Sequence, residues 1–314
     1  MELKKTTKDI FSILKVYPAL TGLIIVITLF SFLSNRFLTL SNFINVTRQV
    51  SIEAIIAFGM TLVIISGGID LSVGSSLALS SAILASILKD GNISLAVVTS
   101  LAVGAGIGFV NGFIVAKGKI QAFIVTLATM AIARSLTLAY TEGMPITGFP
   151  DSFRFIGRED IFGIPVPVIV MSIVMFILFF VLRYTKFGLE LYAVGGNETA
   201  ANLTGIRVDG YKIMVYVVSG VLAALSGIVL TSRLNSAQPT IGQGFELNAI
   251  AAVVLGGASL SGGRGSIIGT FLGAMLMGFI NNGMNILNIS PFYQEAVKGL
   301  VILAAVLIER EKTS

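Results

Sequence analysis

Apolar segments longer than about 18 residues recur along this chain, and each is long enough to cross a bilayer as a helix. A soluble domain has no use for so many. The runs are continuous rather than alternating, which excludes a membrane β-barrel. Ten segments stand out: 17–34, 51–67, 71–88, 93–116, 120–140, 161–182, 211–232, 246–258, 265–287 and 292–309. The eighth is too short to cross unaided. Glycine and proline punctuate the boundaries. The expected fold class is all-α, a polytopic membrane bundle of about ten spans in a single domain, 1–314. Composition agrees, since 55% of the residues are hydrophobic and only 12% charged, about half the soluble level.

The sequence has no Cys, no His and no Trp. Disulfides, thiolate or imidazole metal centres and His- or Cys-based catalysis are therefore excluded. No catalytic residue and no metal site are expected. In a membrane chain the net charge of +5 reports topology rather than nucleic acid. With both termini cytoplasmic, 13 Lys and Arg fall on inner segments and six on outer ones. That excess predicts a multi-pass membrane protein with both termini inside and with 1–16, 183–210 and 310–314 cytoplasmic. The basic N-terminus lacks a small-residue cleavage site, so its apolar run is read as the first span.

Two glycine ladders recur every four residues: Gly104, Gly108 and Gly112, then Gly265, Gly269 and Gly273. That spacing places each set on one helix face, where backbones can approach closely. Similar phrases follow, "GFVNG" from Gly108 and "GFINNG" from Gly278. The two segments run in opposite directions in the ten-span scheme. An inverted repeat would produce this, and so would two ordinary close-packed helices.

"SGGIDLSVGSS" (66–76) and "LGGASLSGGRGS" (255–266) interrupt apolar sequence. Breaks of this kind either present half-helix ends to a solute or form tight re-entrant turns. Asp70, Ser72, Asn111, Asn281, Asn282 and Asn285 are the candidates for a translocation path. Asparagines also serve as interhelical glue. Glu53 and Glu246 lie near expected span starts, where an acid caps the helix. Arg134 falls inside a span. Glu295 and Lys298 are spaced to pair on one helix face. No row of acids suggests an ion relay.

Residues 194–212, "VGGNETAANLTGIRVDGYK", form a polar island between two apolar runs. Gly195-Gly196 reads as a flexible break and Asn197 as an N-cap. Glu198 favours the first turn. Ala201 and Leu203 continue a helix that Gly205 stops. Two turns, 198–204, are marginal alone in water. Something must hold them, either the protein's own surface or a partner's groove. No GxxxxGK[ST] phosphate loop occurs, so a transporter of this kind would borrow its motor.

Several strings together resemble a known family: "LVIISGGIDLSVGSSLALSSA" from Leu62, "NGFIVAKGK" from Asn111, "FIVTLATM" from Phe123, "TLAYTEGMPITG" from Thr137, "YAVGGNETAANLTGI" from Tyr192, "SAQPTIGQGFELNAIAAVVLGGASLSGGRGSIIGT" from Ser236 and "NNGMNIL" from Asn281. The chain resembles the permease subunits of bacterial ABC importers for ribose and related monosaccharides. The resemblance implies a fold like that of the vitamin B12 importer's membrane subunit. It implies a homodimer, a cytoplasmic ABC ATPase that holds ATP and Mg, and an extracytoplasmic sugar-binding protein. This chain would carry no cofactor. The segment Gly195–Gly205 matches the family's ATPase-coupling helix. D-ribose is the expected cargo; another sugar, a nucleoside or an autoinducer is the alternative within the family. An ion-coupled secondary transporter is the rival outside it.

Overall fold

A computed structural model describes residues 18–313. Positions 1–17 and 314 lie outside the described residues, including Lys4, Lys5, Lys8 and Lys15 of the expected N-terminal segment. Each of the ten expected segments coincides with a helix: α1 (Pro18–Leu33), α2 (Leu40–Ile65), α3 (Val73–Leu88), α4 (Ile93–Gly118), α5 (Ala122–Thr141), α7 (Val166–Tyr184), α10 (Val208–Leu234), α11 (Phe245–Leu255), α12 (Ile267–Ile286) and α13 (Pro291–Thr313). Three further helices lie between them: α6 (Asp151–Arg158), α8 (Lys186–Gly196) and α9 (Glu198–Leu203). Among the described residues six helices, α2, α4, α5, α7, α10 and α12, are long and apolar enough to cross a membrane.

Helix α2 begins 11 residues before the expected boundary at 51. Asn42, Asn45, Arg48 and Gln49 dilute the hydropathy there, but a helix start depends on backbone satisfaction. Thr39 supplies it by accepting the Asn42 amide. Glu53 consequently sits well inside α2, which overturns its reading as a cap. Glu246 does occupy the first turn of α11.

Helices α2 and α10 form the centre. From Val50 to Ile65 nearly every residue of α2 is buried. Helix α10 packs against α2, α3 and α4, while α2 packs against α10, α11 and α12. The glycine ladders lie at these seams. A Cβ on Gly104, Gly108 or Gly112 would collide with the α10 backbone near Gly220, Tyr216 and Ile213. On Gly269 and Gly273 it would collide with the carbonyls of Gly256, the α11 C-cap, and Ala252, whereas Gly265 precedes the Ser266 N-cap of α12, so the expected second ladder has only two of its three glycines on the helix. Apolar helices gain little in lipid from hydrophobic burial, so this close packing supplies the attraction.

At one end of the bundle the connections are themselves structured. Strands β1 (Ile146–Thr147) and β4 (Ser236–Ala237) pair antiparallel, with Ile146 opposite Ala237. A hairpin of β2 (Asp160–Ile161) and β3 (Ile164–Pro165) precedes α7. Helix α6 is anchored by Phe153, which is fully buried and whose carbonyl accepts the Ser232 hydroxyl at 2.6 Å. Opposite this end lie α8, α9 and the turns at Gly67 and Gly263.

Candidate functional site

Helix α9 begins at Asn197, whose side chain accepts the Ala200 amide at 2.9 Å. It ends in a Schellman motif. Gly205 has φ +85°, its amide donates to the Asn202 carbonyl, and the Ile206 amide donates to the Ala201 carbonyl. The inner face is apolar: Ala201 packs with Val194, Val208, Ile206 and Tyr211. Glu198 is tied to Lys212 at 2.5 Å. Beside it Tyr211 donates a hydrogen bond to Glu190, and Lys186 lies 3.2 Å from the same carboxylate. These contacts, the Tyr211 hydroxyl first, hold the Glu190 carboxyl below the usual carboxylate range. Leu203 points the other way and is 84% exposed. A two-turn helix is thus clamped on one side and offers one large apolar side chain on the other.

Gly195 and Gly196 do not form the flexible break that the sequence suggests. Both are helical and close α8. A Cβ on Gly195 would collide with the Ile65 carbonyl oxygen and lie 2.6 Å from the Gly263 nitrogen. The Gly263 amide donates to that same Ile65 carbonyl at 2.9 Å. Gly262, at φ +85°, lies against the Gly195 carbonyl and Gly67. Three backbones therefore touch at one point: the end of α2, the start of the α9 connection and the turn before α12. Three of the chain's four Gly-Gly pairs meet here, at 67–68, 195–196 and 262–263. The pairs were visible in the sequence; their meeting was not.

Beyond Gly67–Gly68 the chain turns into a buried polar network. Asp70 is 1% exposed. Its Oδ1 accepts the Ser72 hydroxyl at 2.6 Å and the Ser72 amide at 3.0 Å, and its Oδ2 accepts the Ser219 hydroxyl at 2.8 Å. Asn111 donates to the Ser72 hydroxyl at 2.9 Å and accepts from Thr129 at 2.6 Å. Thr126 also reaches the Ile69 carbonyl at 3.1 Å. The network joins the α2–α3 turn to α4, α5 and α10. A cavity of about 390 Å³, lined by Gly67, Gly68, Lys119, Glu198, Lys212 and Tyr216 among others, approaches from the α9 end. A Cβ on Gly68 would collide with the Tyr216 hydroxyl, so that ring closes the space beside the turn.

The six path candidates therefore separate. Asp70, Ser72 and Asn111 share the sealed network. Asn282 exchanges amide hydrogen bonds with Asn42 on α2, each at 2.9 Å. Asn285 accepts from Gln294 on α13 at 2.8 Å. The Asn281 side-chain oxygen is buried with no partner among the described residues. Glu295 and Lys298 pair at 2.6 Å, as their spacing predicts. Sequence reading missed Ser219, Thr129 and Lys212. A lone hydroxyl in an apolar helix carries no local signal when its partner is 149 positions away.

Comparison with known proteins follows the same lines. Residues 42–306 match the family described as branched-chain amino acid transport system / permease component. The chain is 52% identical to the "Ribose import permease protein RbsC" of Bacillus subtilis strain 168, over 93% of this chain and 92% of that protein. It is 50% identical to the protein of the same name from Escherichia coli K12, over 94% and 93%. Identity to the E. coli K12 "D-allose transport system permease protein AlsC" is 39%, over 92% and 89%. No solved structure matches the chain.

Proposed function

This chain belongs to the branched-chain amino acid transport system / permease component family, and on that premise we propose that it is the membrane permease subunit of an ATP-driven monosaccharide importer, with D-ribose as cargo. It is a multi-pass transport subunit and not an enzyme. Identity of 50% or more to two ribose import permeases, over more than nine-tenths of each chain, carries the reading. The 39% relative named for allose places that sugar further off.

The ten apolar helices are the spans, the 11-residue α11 crossing only together with its flanking segments, in a fold of the vitamin B12 importer type with both termini cytoplasmic. Helices α2–α4 and α10–α12 form an inverted repeat, a reading supported by the reciprocal packing of α2 and α10. Two copies enclose the path. A cytoplasmic ABC ATPase, holding ATP and Mg, grips α9; an extracytoplasmic binding protein delivers the sugar to the opposite end. Movement of α9 passes through Gly195 directly to the ends of two further segments, since backbone contact leaves no soft side chain to absorb it. The sugar shifts the gate only as far as its affinity differs between the two states.

The test is uptake of D-ribose into proteoliposomes holding permease, ATPase and binding protein. Uptake is expected to require ATP. Leu203→Asp is expected to abolish uptake and binding-protein-stimulated ATP hydrolysis while the permease retains its membrane level and melting temperature. Accumulation of ribose by the permease alone under an imposed ion gradient would overturn the reading.

A further inference from the structure

Two of the charged groups that the sealed network leaves out, Arg134 and Glu246, lie beside one segment. Arg134 lies on α5, about 18 Å from Ala122 and about 10 Å short of Thr141 at 1.5 Å per residue. Its Nη1 donates to the carbonyls of Pro239 at 2.8 Å and Ile241 at 2.9 Å. Those carbonyls belong to the segment that leads from β4 into α11. Glu246, in the first turn of α11, flanks the same segment: a Cβ on Gly74 would stand 2.2 Å from the Gly242 carbonyl and 2.7 Å from the Glu246 carboxylate. The Glu246 Oε1 accepts the Gly244 amide at 3.3 Å. Its Oε2 is the oxygen toward Gly74, which places the carboxylate against the start of α3.

The two groups do not close on each other. Among the described residues no ion pair joins them, and the Arg134 Nε and Nη2 have no protein partner. Both residues are half-buried, with Gln243 exposed beside them. A half-exposed guanidinium and carboxylate at this depth are costly against hydrocarbon, and polar groups at membrane depth face protein or a water-filled path. Other outward surfaces are apolar: Ile132, two residues from Arg134 on α5, is 60% exposed, and Phe176 on α7 is 68% exposed. The polar face is therefore the one turned away from lipid.

We propose that Arg134 and Glu246 frame a polyol station on the translocation path, where the guanidinium donates to, and the carboxylate accepts from, neighbouring hydroxyls of a monosaccharide. The proposal rests on the importer reading and adds the residues that meet the sugar. Opposite charges held apart suit a neutral solute carrying donors and acceptors side by side. The Gln243 amide offers both kinds of group at the rim. The carbonyls of Pro239 and Ile241 hold the guanidinium in place before the sugar arrives. A station on a conduit must also release its cargo, so contact through a few groups fits better than an enclosing pocket.

The chain contains no cysteine, so Gln243→Cys introduces a single thiol. In proteoliposomes of the assembled transporter, that thiol is expected to react with a charged, membrane-impermeant methanethiosulfonate reagent, and Phe176→Cys is expected not to. Silence at position 243, or equal reaction at both positions, would remove the water-filled face. In the same vesicles Arg134→Gln and Glu246→Gln are each expected to lower D-ribose uptake at least about tenfold, as loss of a charge-assisted hydrogen bond to substrate does. Binding-protein-stimulated ATP hydrolysis should persist, and Arg134→Lys should recover part of the uptake. Wild-type uptake in both Gln variants overturns the station. Absence of ribose uptake by the unaltered complex overturns the importer reading instead, while the labelling contrast still reports the wet face.

Discussion

At the scale of single residues, Gly195 and Gly196 make a sharp pair. Both end α8, yet a Cβ on Gly195 would strike the Ile65 carbonyl, whereas nothing lies within 4 Å of one on Gly196. Gly195→Ala must push apart two backbones that cannot swing aside as a side chain can. It is expected to cost about 1–3 kcal/mol, the usual range for overpacking. Gly196→Ala is expected to stay within about 0.5 kcal/mol, as a substitution away from any contact does. Denaturation of the two purified variants in one detergent checks this; equal midpoints would mean that the backbones do not touch. The sequence announced these glycines but assigned them flexibility, because local reading sees φ freedom and not what stands opposite. Asp70 fared similarly. Its break was legible, while its partner Ser219 comes from a helix distant in the chain.

At the scale of elements, the ten long helices were legible because apolar runs speak locally, and their boundaries slipped where caps rather than hydropathy decide. Helix α2 is the clear instance, starting at Leu40 on the Thr39 cap. The opposite case is α9, whose caps were legible and whose clamps were not. Six residues do not hold a helix in water. Asn197, the Schellman turn and the Ala201 contacts must do so. Asn197→Ala is expected to weaken α9 by about 1 kcal/mol, raising hydrogen exchange of the 200–204 amides roughly fivefold. The global midpoint should barely move; unchanged exchange would show that the cap is idle. The neighbouring Glu190 carboxyl adds a pH signature. Its pKa is depressed in the fold, mainly by the Tyr211 hydroxyl. Its contribution is therefore present above the ordinary glutamate pKa and lost as pH falls through the folded value. Tyr211→Phe should narrow the gap between melting temperatures at neutral and acid pH. A variant with the wild-type gap would place the acid sensitivity elsewhere.

At the scale of the whole molecule, the network around Asp70 decides how the halves of the bundle are fastened. A buried carboxylate in a membrane protein is costly unless its lone pairs are met. Here three donors meet them, from Ser72 twice and from Ser219. Through Ser72 the network continues to Asn111 and Thr129, so four elements share one set of hydrogen bonds. The glycine junction lies at the other end of the same short turn, with Gly67 against Gly262. A movement of α9 that shifts Gly195 must therefore either bend residues 66–72 or pull on Asp70. Asp70→Ala strands the Ser72 and Ser219 donors among apolar neighbours, at about 1–3 kcal/mol for each buried group left unmet. Asp70→Asn keeps one acceptor oxygen but turns an amide N–H₂ toward a hydroxyl that also donates. Melting temperatures of the assembled transporter are expected to fall in the order wild type, Asp70→Asn, Asp70→Ala. On the coupling role proposed for α9, the Asn variant should also lose more transport than its stability deficit explains, because the turn is tied less firmly to α10. Wild-type melting in Asp70→Ala would mean that glycine seams alone hold the halves together, and the Asp70 turn would then have no mechanical part in the gate.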